Sequence, residues 1–241
     1  MLVLVVEQHY RKQLERFYEL LNDLRRAVGT RCLKNCSGRM VWPKRGVYFF
    51  FEDDEYRPDG ITPRVVRVGT HAVSKGSRTT LWHRLRTHRG TLSGGGNHRG
   101  SIFRLHVGTA LLARDECLSP KPQSWAKGSS AKRDVREGEQ HVEHAVSEYI
   151  GSMPFLHVVA DDESGKQSIR KTIEANSITL LSQVGVAGSL ADPPSAGWLG
   201  HFCRHEAVQR SGLWNVQHVE DDYNSGFLDV LENCTARTQR P

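Results

Sequence analysis

The chain holds no apolar stretch approaching the ~20 residues that a membrane-crossing helix requires. Its opening run, MLVLVV, is too short to span a bilayer and lacks the basic flank and cleavage site of a signal peptide. It is expected to be a first strand or the entry to a helix. Cysteine is scarce and odd in number: Cys32, Cys36, Cys117, Cys203 and Cys234 form no C-x-x-C pair. That pattern excludes a disulfide framework and points to reduced thiols in a cytoplasmic protein. There is no G-x-x-x-x-G-K-[ST] element, which excludes the usual nucleoside triphosphate cradle. His201, Cys203 and His205 lie close together, but their spacing fits no common structural zinc site. No zinc-finger or comparable base-reading motif occurs.

The most informative absence is local. Between Gly60 and Arg114 there is no Asp or Glu, while the interval holds Arg64, Arg67, Lys75, Arg78, Arg84, Arg86, Arg89, Arg99, Arg104 and Arg114. The whole chain carries a net charge of +6, yet this concentration matters more than the total. A local cationic field attracts a polyanion, and the bias to Arg over Lys supplies planar forks suited to phosphate oxygens.

Taken in order, Glu7 to Val28 carries Leu14, Phe17, Tyr18, Leu21, Leu24 and Val28 at helical spacing, an amphipathic helix that packs on a sheet or a partner protomer. Gly29 ends it, and 30–40 is a connector. The apolar run Gly46 to Phe51 is a strand, closed by a turn with Asp53, Asp54, Pro58, Asp59 and Gly60. Arg64 to Thr70 is a second strand. After a loop with Lys75, Gly76 and Ser77 the period changes: Leu81, Arg84, Leu85 and His88 fall at i, i+3, i+4 and i+7 on one helix face. Residues 90–100 form a glycine-rich loop, Ser101 to Arg114 a helix, and 115–137 an exposed insertion rich in Pro, Ser and Lys. A helix over 137–153, a third strand over 154–160 and a helix from Ile169 to Val184 follow. The tail carries Trp198, Leu199, Phe202, Leu213, Trp214, Phe227, Leu228 and Leu231, enough apolar surface to dock. The fold class is therefore α/β: a small mixed or antiparallel three-stranded sheet flanked by helices. The chain divides into an N-terminal helical segment (1–40), a central domain (41–186) and a C-terminal extension (187–241).

The strand, turn, strand, loop, helix unit from Pro43 to His88 resembles the GIY-YIG nuclease superfamily. Gly46-Val47-Tyr48 stands for its first signature and Arg67-Val68-Gly69 for its second, and Arg84 with His88 matches the Arg and the His four residues on. The second motif usually begins with Tyr, where this chain has Arg67. The resemblance implies a metal-dependent endonuclease that hydrolyses DNA phosphodiester bonds. It implies Glu174, on the helix after the third strand, as ligand to Mg²⁺ or Mn²⁺, with Glu148 as a rival that precedes that strand. Tyr48 and His88 would orient or deprotonate water, and Arg84 would offset charge on the phosphate. Leu213-Trp214-Asn215 is similar to a segment that supplies an active-site Asn, so Asn215 is preferred slightly over Asn176. His71, Lys75, Arg78, Arg86, Arg89, Asn97, Arg99 and Arg104 are the candidate DNA-binding residues, and His71 or Lys75 could take the role of the missing Tyr. The rival expectation is a weakly active or inactive nucleic-acid-binding module of the same fold; a third is a helical interaction protein in which Arg84, His88 and Glu174 lie far apart. Whether the protein is a homodimer is open.

Overall fold

A computed structural model describes residues 2–165, 167–185 and 188–239, with side chains from Glu7 onward. The chain begins with helix α1, Leu2–Val28. The opening apolar run is therefore helix and not a strand. Gly29 stops α1 at φ +68°, its N–H closing on the Arg25 carbonyl at 2.9 Å, a left-handed C-terminal cap that favours glycine.

The sheet comprises β1 (Arg31–Cys32), β2 (Gly46–Tyr56), β3 (Pro63–Gly69) and β4 (Pro154–Val159). All pairings are antiparallel, in the order β1-β4-β2-β3. The expected three strands are thus joined by a fourth, the two-residue β1, from a segment too short for periodicity to reveal. Strand β2 is central and apolar on both faces because each face is covered. Successive side chains point to opposite sides. Val47, Phe49 and Phe51 enter a core with α1, α6 (Ile169–Leu181) and α8 (Phe227–Gln239). Tyr48 and Phe50 enter the other core with α2 (Leu81–Arg89), α3 (Ile102–Arg114) and α5 (Gln140–Ser152). The result is three layers, helix, sheet, helix.

Both ends of the chain belong to these layers. Leu14, Phe17, Leu21 and Leu24 of α1 pack with Phe227, Leu228 and Leu231 of α8, while Trp198, Leu199 and Trp214 complete the opposite core. Phe202, expected to dock, is instead exposed. The helix expected over 137–153 begins earlier and breaks at Glu139, giving α4 (Arg133–Gly138) and α5. The 115–137 insertion is pinned by Trp125, which is buried against Gly108 and stacks with His98 at 3.9 Å. All five cysteines are free. No helix among the described residues is long and apolar enough to cross a membrane.

Candidate active site

Strand β3 lies at one edge of the sheet, so alternate backbone groups along its outer side have no strand partner. Side chains and one short segment satisfy them in turn. The Trp214 N–H donates to the Val66 carbonyl at 2.8 Å. The Asn215 side chain accepts from the Val68 N–H at 3.1 Å and donates to the Val68 carbonyl at 2.8 Å, mimicking a strand backbone. Glu174 Oε1 accepts from the Thr70 N–H at 3.0 Å. Residues 66, 68 and 70 thereby fix Trp214, Asn215 and Glu174 in a row. Trp214 is anchored from behind: its indole N–H and the Tyr149 hydroxyl donate to Glu52 at 2.6 and 2.7 Å. Asn176 serves elsewhere, accepting from the Asn224 N–H at 2.6 Å.

Tyr48 faces the same region from β2. Its register partner is Gly69, and a Cβ on Gly69 would overlap the phenol ring. The Tyr48 hydroxyl shares a hydrogen bond with His88 Nε2 at 2.8 Å, and His88 Nδ1 shares one with Ser101 Oγ at 2.8 Å. Ser101 also caps α3, accepting from the Arg104 N–H. The helical spacing brings His88 inward as expected. Burial foremost, then Arg84, Arg67 and Arg104, push the His88 pKa well below its ordinary value, which keeps the imidazole neutral. Both Tyr48 and His88 are 0 % exposed.

Arg84, one turn before His88, is half-buried and makes no ion pair among the described residues. Its charge favours the Glu174 carboxylate and disfavours the cationic forms of His88, His71 and Arg67, so all four lie within its electrostatic reach. Burial raises the Glu174 carboxyl above its usual range, and Arg67, the Thr70 N–H, His218 and Arg84 pull it back. Glu148 instead lines a cavity with His144 and Tyr149, to which none of these groups contributes.

Of the expected DNA contacts, Lys75, Arg78, Arg86 and Asn97 are exposed. Four others are corrected. Arg104 is 0 % exposed and ion-paired with Glu143; Arg99 is closed on Glu139 at 2.6 Å. Arg89 is buried, donating to the Cys36 carbonyl at 2.6 Å. His71 is buried, with Nε2 on the Lys44 carbonyl at 3.2 Å. The acidic partners of Arg99 and Arg104 lie outside the acid-free interval, so a linear charge count could not see these two pairs. His201, Cys203 and His205 do not converge as ligands. His201 Nε2 bonds the Ser195 carbonyl, and buried Cys203 faces His106 Nδ1 at 3.7 Å. No group of three or more His, Cys, Asp or Glu able to hold a metal occurs among the described residues. Sequence reasoning missed Ser101 and Glu52; the S-x-x-R start of α3 was a cap signal for the first, and nothing linear marked the second.

The family model described as GIY-YIG domain matches residues 8–241. No curated protein and no solved structure matches the chain significantly. The match runs from α1 through α8, and on it the chain belongs to the GIY-YIG domain family.

Proposed function

We propose, with that membership as premise, that the protein is a divalent-metal-dependent endonuclease hydrolysing DNA phosphodiester bonds in the cytoplasm. Nuclease chemistry is the class of activity the family carries; metal, substrate and residue roles are our own assignment. The observation carrying it is the convergence of Tyr48, His88, Arg84, Glu174 and Asn215, from β2, α2, α6 and the tail, at the outer end of β3.

Glu174 fits a hard cation: one carboxylate oxygen is committed to Thr70 and the second has no hydrogen bond to a described residue. No soft Cys or His set competes among the described residues. A single carboxylate suits Mg²⁺ or Mn²⁺, which take few protein ligands and keep waters. Such an ion, when bound, polarises the phosphate and stabilises the leaving oxygen. Arg84 offsets charge growing on the non-bridging oxygens. His88, held neutral, can accept from the Tyr48 hydroxyl through Nε2, which turns the phenol oxygen's lone pairs toward an attacking water. Lys75, Arg78, Arg86 and Asn97 track the backbone around the site. Asn215 holds the edge of β3 in register with Glu174.

One observation favours a binding module instead: the Tyr48 phenol is wholly enclosed. The two readings part on a labelled duplex with Mg²⁺. A nuclease cleaves it, and Glu174→Ala retains salt-sensitive binding while cleavage falls by about 1,000-fold or more. A module binds the duplex and leaves it whole.

A further inference from the structure

Buried arginines in this chain close on carboxylates, with two exceptions among the described residues. Arg57, Arg64, Arg99 and Arg170 each close on a carboxylate, Glu15 at 2.8 Å, Glu55 at 2.9 Å, Glu139 at 2.6 Å and Asp162 at 2.6 Å, and Arg104 closes on Glu143. Arg67 is 5 % exposed and has no carboxylate partner among the described residues. Its hydrogen bond goes to the Trp214 carbonyl, its Nε is buried without a partner, and its guanidinium lies 4.7 Å over the Phe103 ring. Buried Arg89, also lacking a carboxylate, is docked by the Cys36 carbonyl beside Trp82.

An enclosed guanidinium stays charged, and Glu174, whose carboxylate it acts on without closing an ion pair, balances it only at a distance. A neutral carbonyl and an aromatic face offset only part of the cost of enclosing it. The remaining donors call for an anion from outside. Register places the residue in the site: Arg67 pairs with Phe50 and Gly69 with Tyr48, so Arg67 lies on the Tyr48 face of the sheet. Its strand neighbours Val68 and Thr70 hold Asn215 and Glu174.

We propose that Arg67 is a second phosphate-contacting catalytic residue, donating from its fork to a non-bridging oxygen of the scissile phosphodiester. This rests on the nuclease reading and deepens it. The position where the second motif usually has Tyr then supplies a permanent cation in place of a phenol. No bond to Arg67 forms or breaks; it contributes hydrogen bonds and charge, and placement of the attacking water stays with Tyr48 and His88. With Arg84 it flanks the phosphate from strand and helix.

The test uses Arg67→Gln and Arg67→Lys in two arms. In the first, metal-free ¹⁵N-arginine NMR follows the Nε–H signal that both variants lack while dimethyl phosphate is added. The signal is expected to shift saturably in the wild type; an unmoved signal overturns the proposal. In the second, duplex cleavage is expected to fall about 100- to 1,000-fold in kcat for Arg67→Gln with KM within about threefold, and Arg67→Lys to recover part of the loss. Retention of a third or more of wild-type kcat by Arg67→Gln overturns it. Arg67→Lys carries this arm alone should the Gln variant unfold, with a loss of about tenfold expected and wild-type kcat contradicting the proposal, because a point charge lacks the fork. A wild type that shows the phosphate shift without cleaving refutes the nuclease reading and leaves the anion site standing.

Discussion

Gly69 leaves space at the one point where the Tyr48 ring crosses the neighbouring strand. Gly69→Ala should push the phenol away from His88, lowering stability by about 1–3 kcal/mol through overpacking and lowering cleavage with it; urea unfolding beside a rate assay reads both. His88→Phe keeps most of the ring volume but strands the Tyr48 and Ser101 hydroxyls. The expected cost is about 1–3 kcal/mol for each unpaired group and a rate loss of about 100- to 10,000-fold. Unchanged cleavage would show that the imidazole does not position Tyr48 for the reaction. At this scale much of the site was legible, since R-x-x-x-H on a helix face needs only the helical period. The state of the imidazole was not, because it depends on burial and, beside Arg84 on the same helix, on Arg67 and Arg104 from other elements.

The row along β3 is an element-level device: an edge strand kept from free pairing by a tail segment and one helical carboxylate. Asn215→Ala leaves the Val68 N–H and carbonyl without partners and should cost about 1–3 kcal/mol, with Glu174 losing its register; hydrogen exchange at Val68 would rise selectively. If Tyr48 and Glu174 act as one unit, Tyr48→Phe/Glu174→Ala should cleave no more slowly than the worse single variant. Multiplied losses would mean independent roles. The strands, α2 and α6 could be read from alternation and helical spacing. The break at Glu139 could not, nor could the anchoring of 115–137 by Trp125, because both depend on contacts made only after folding.

The whole molecule buries much of its charge inside pairs, so its local excess of Arg is less of a DNA-facing surface than it looks in one dimension. It also holds neutral histidines: burial pushes His71, His106 and His157 down to about 4 and His88 well below its ordinary value. The folded state therefore binds fewer protons than the unfolded chain between about pH 6.5 and 4, and stability is lost as the pH drops through that window, at about 1.4 kcal/mol per unit for each such His. Glu52, Glu174 and Asp192, raised by burial, act in the opposite sense nearer the ordinary carboxylate range. Between pH 7.5 and 5.5 the melting temperature should drop by about 5 °C or more, and a flat profile would contradict neutral burial. The central claim is that these layers exist to hold a hydrolytic site. Its most direct measurement is nicking of supercoiled plasmid by the wild-type protein in Mg²⁺ against EDTA. Open-circle product that needs the metal is the predicted result. Plasmid that stays supercoiled in both Mg²⁺ and Mn²⁺, while the protein still binds it, would contradict the account.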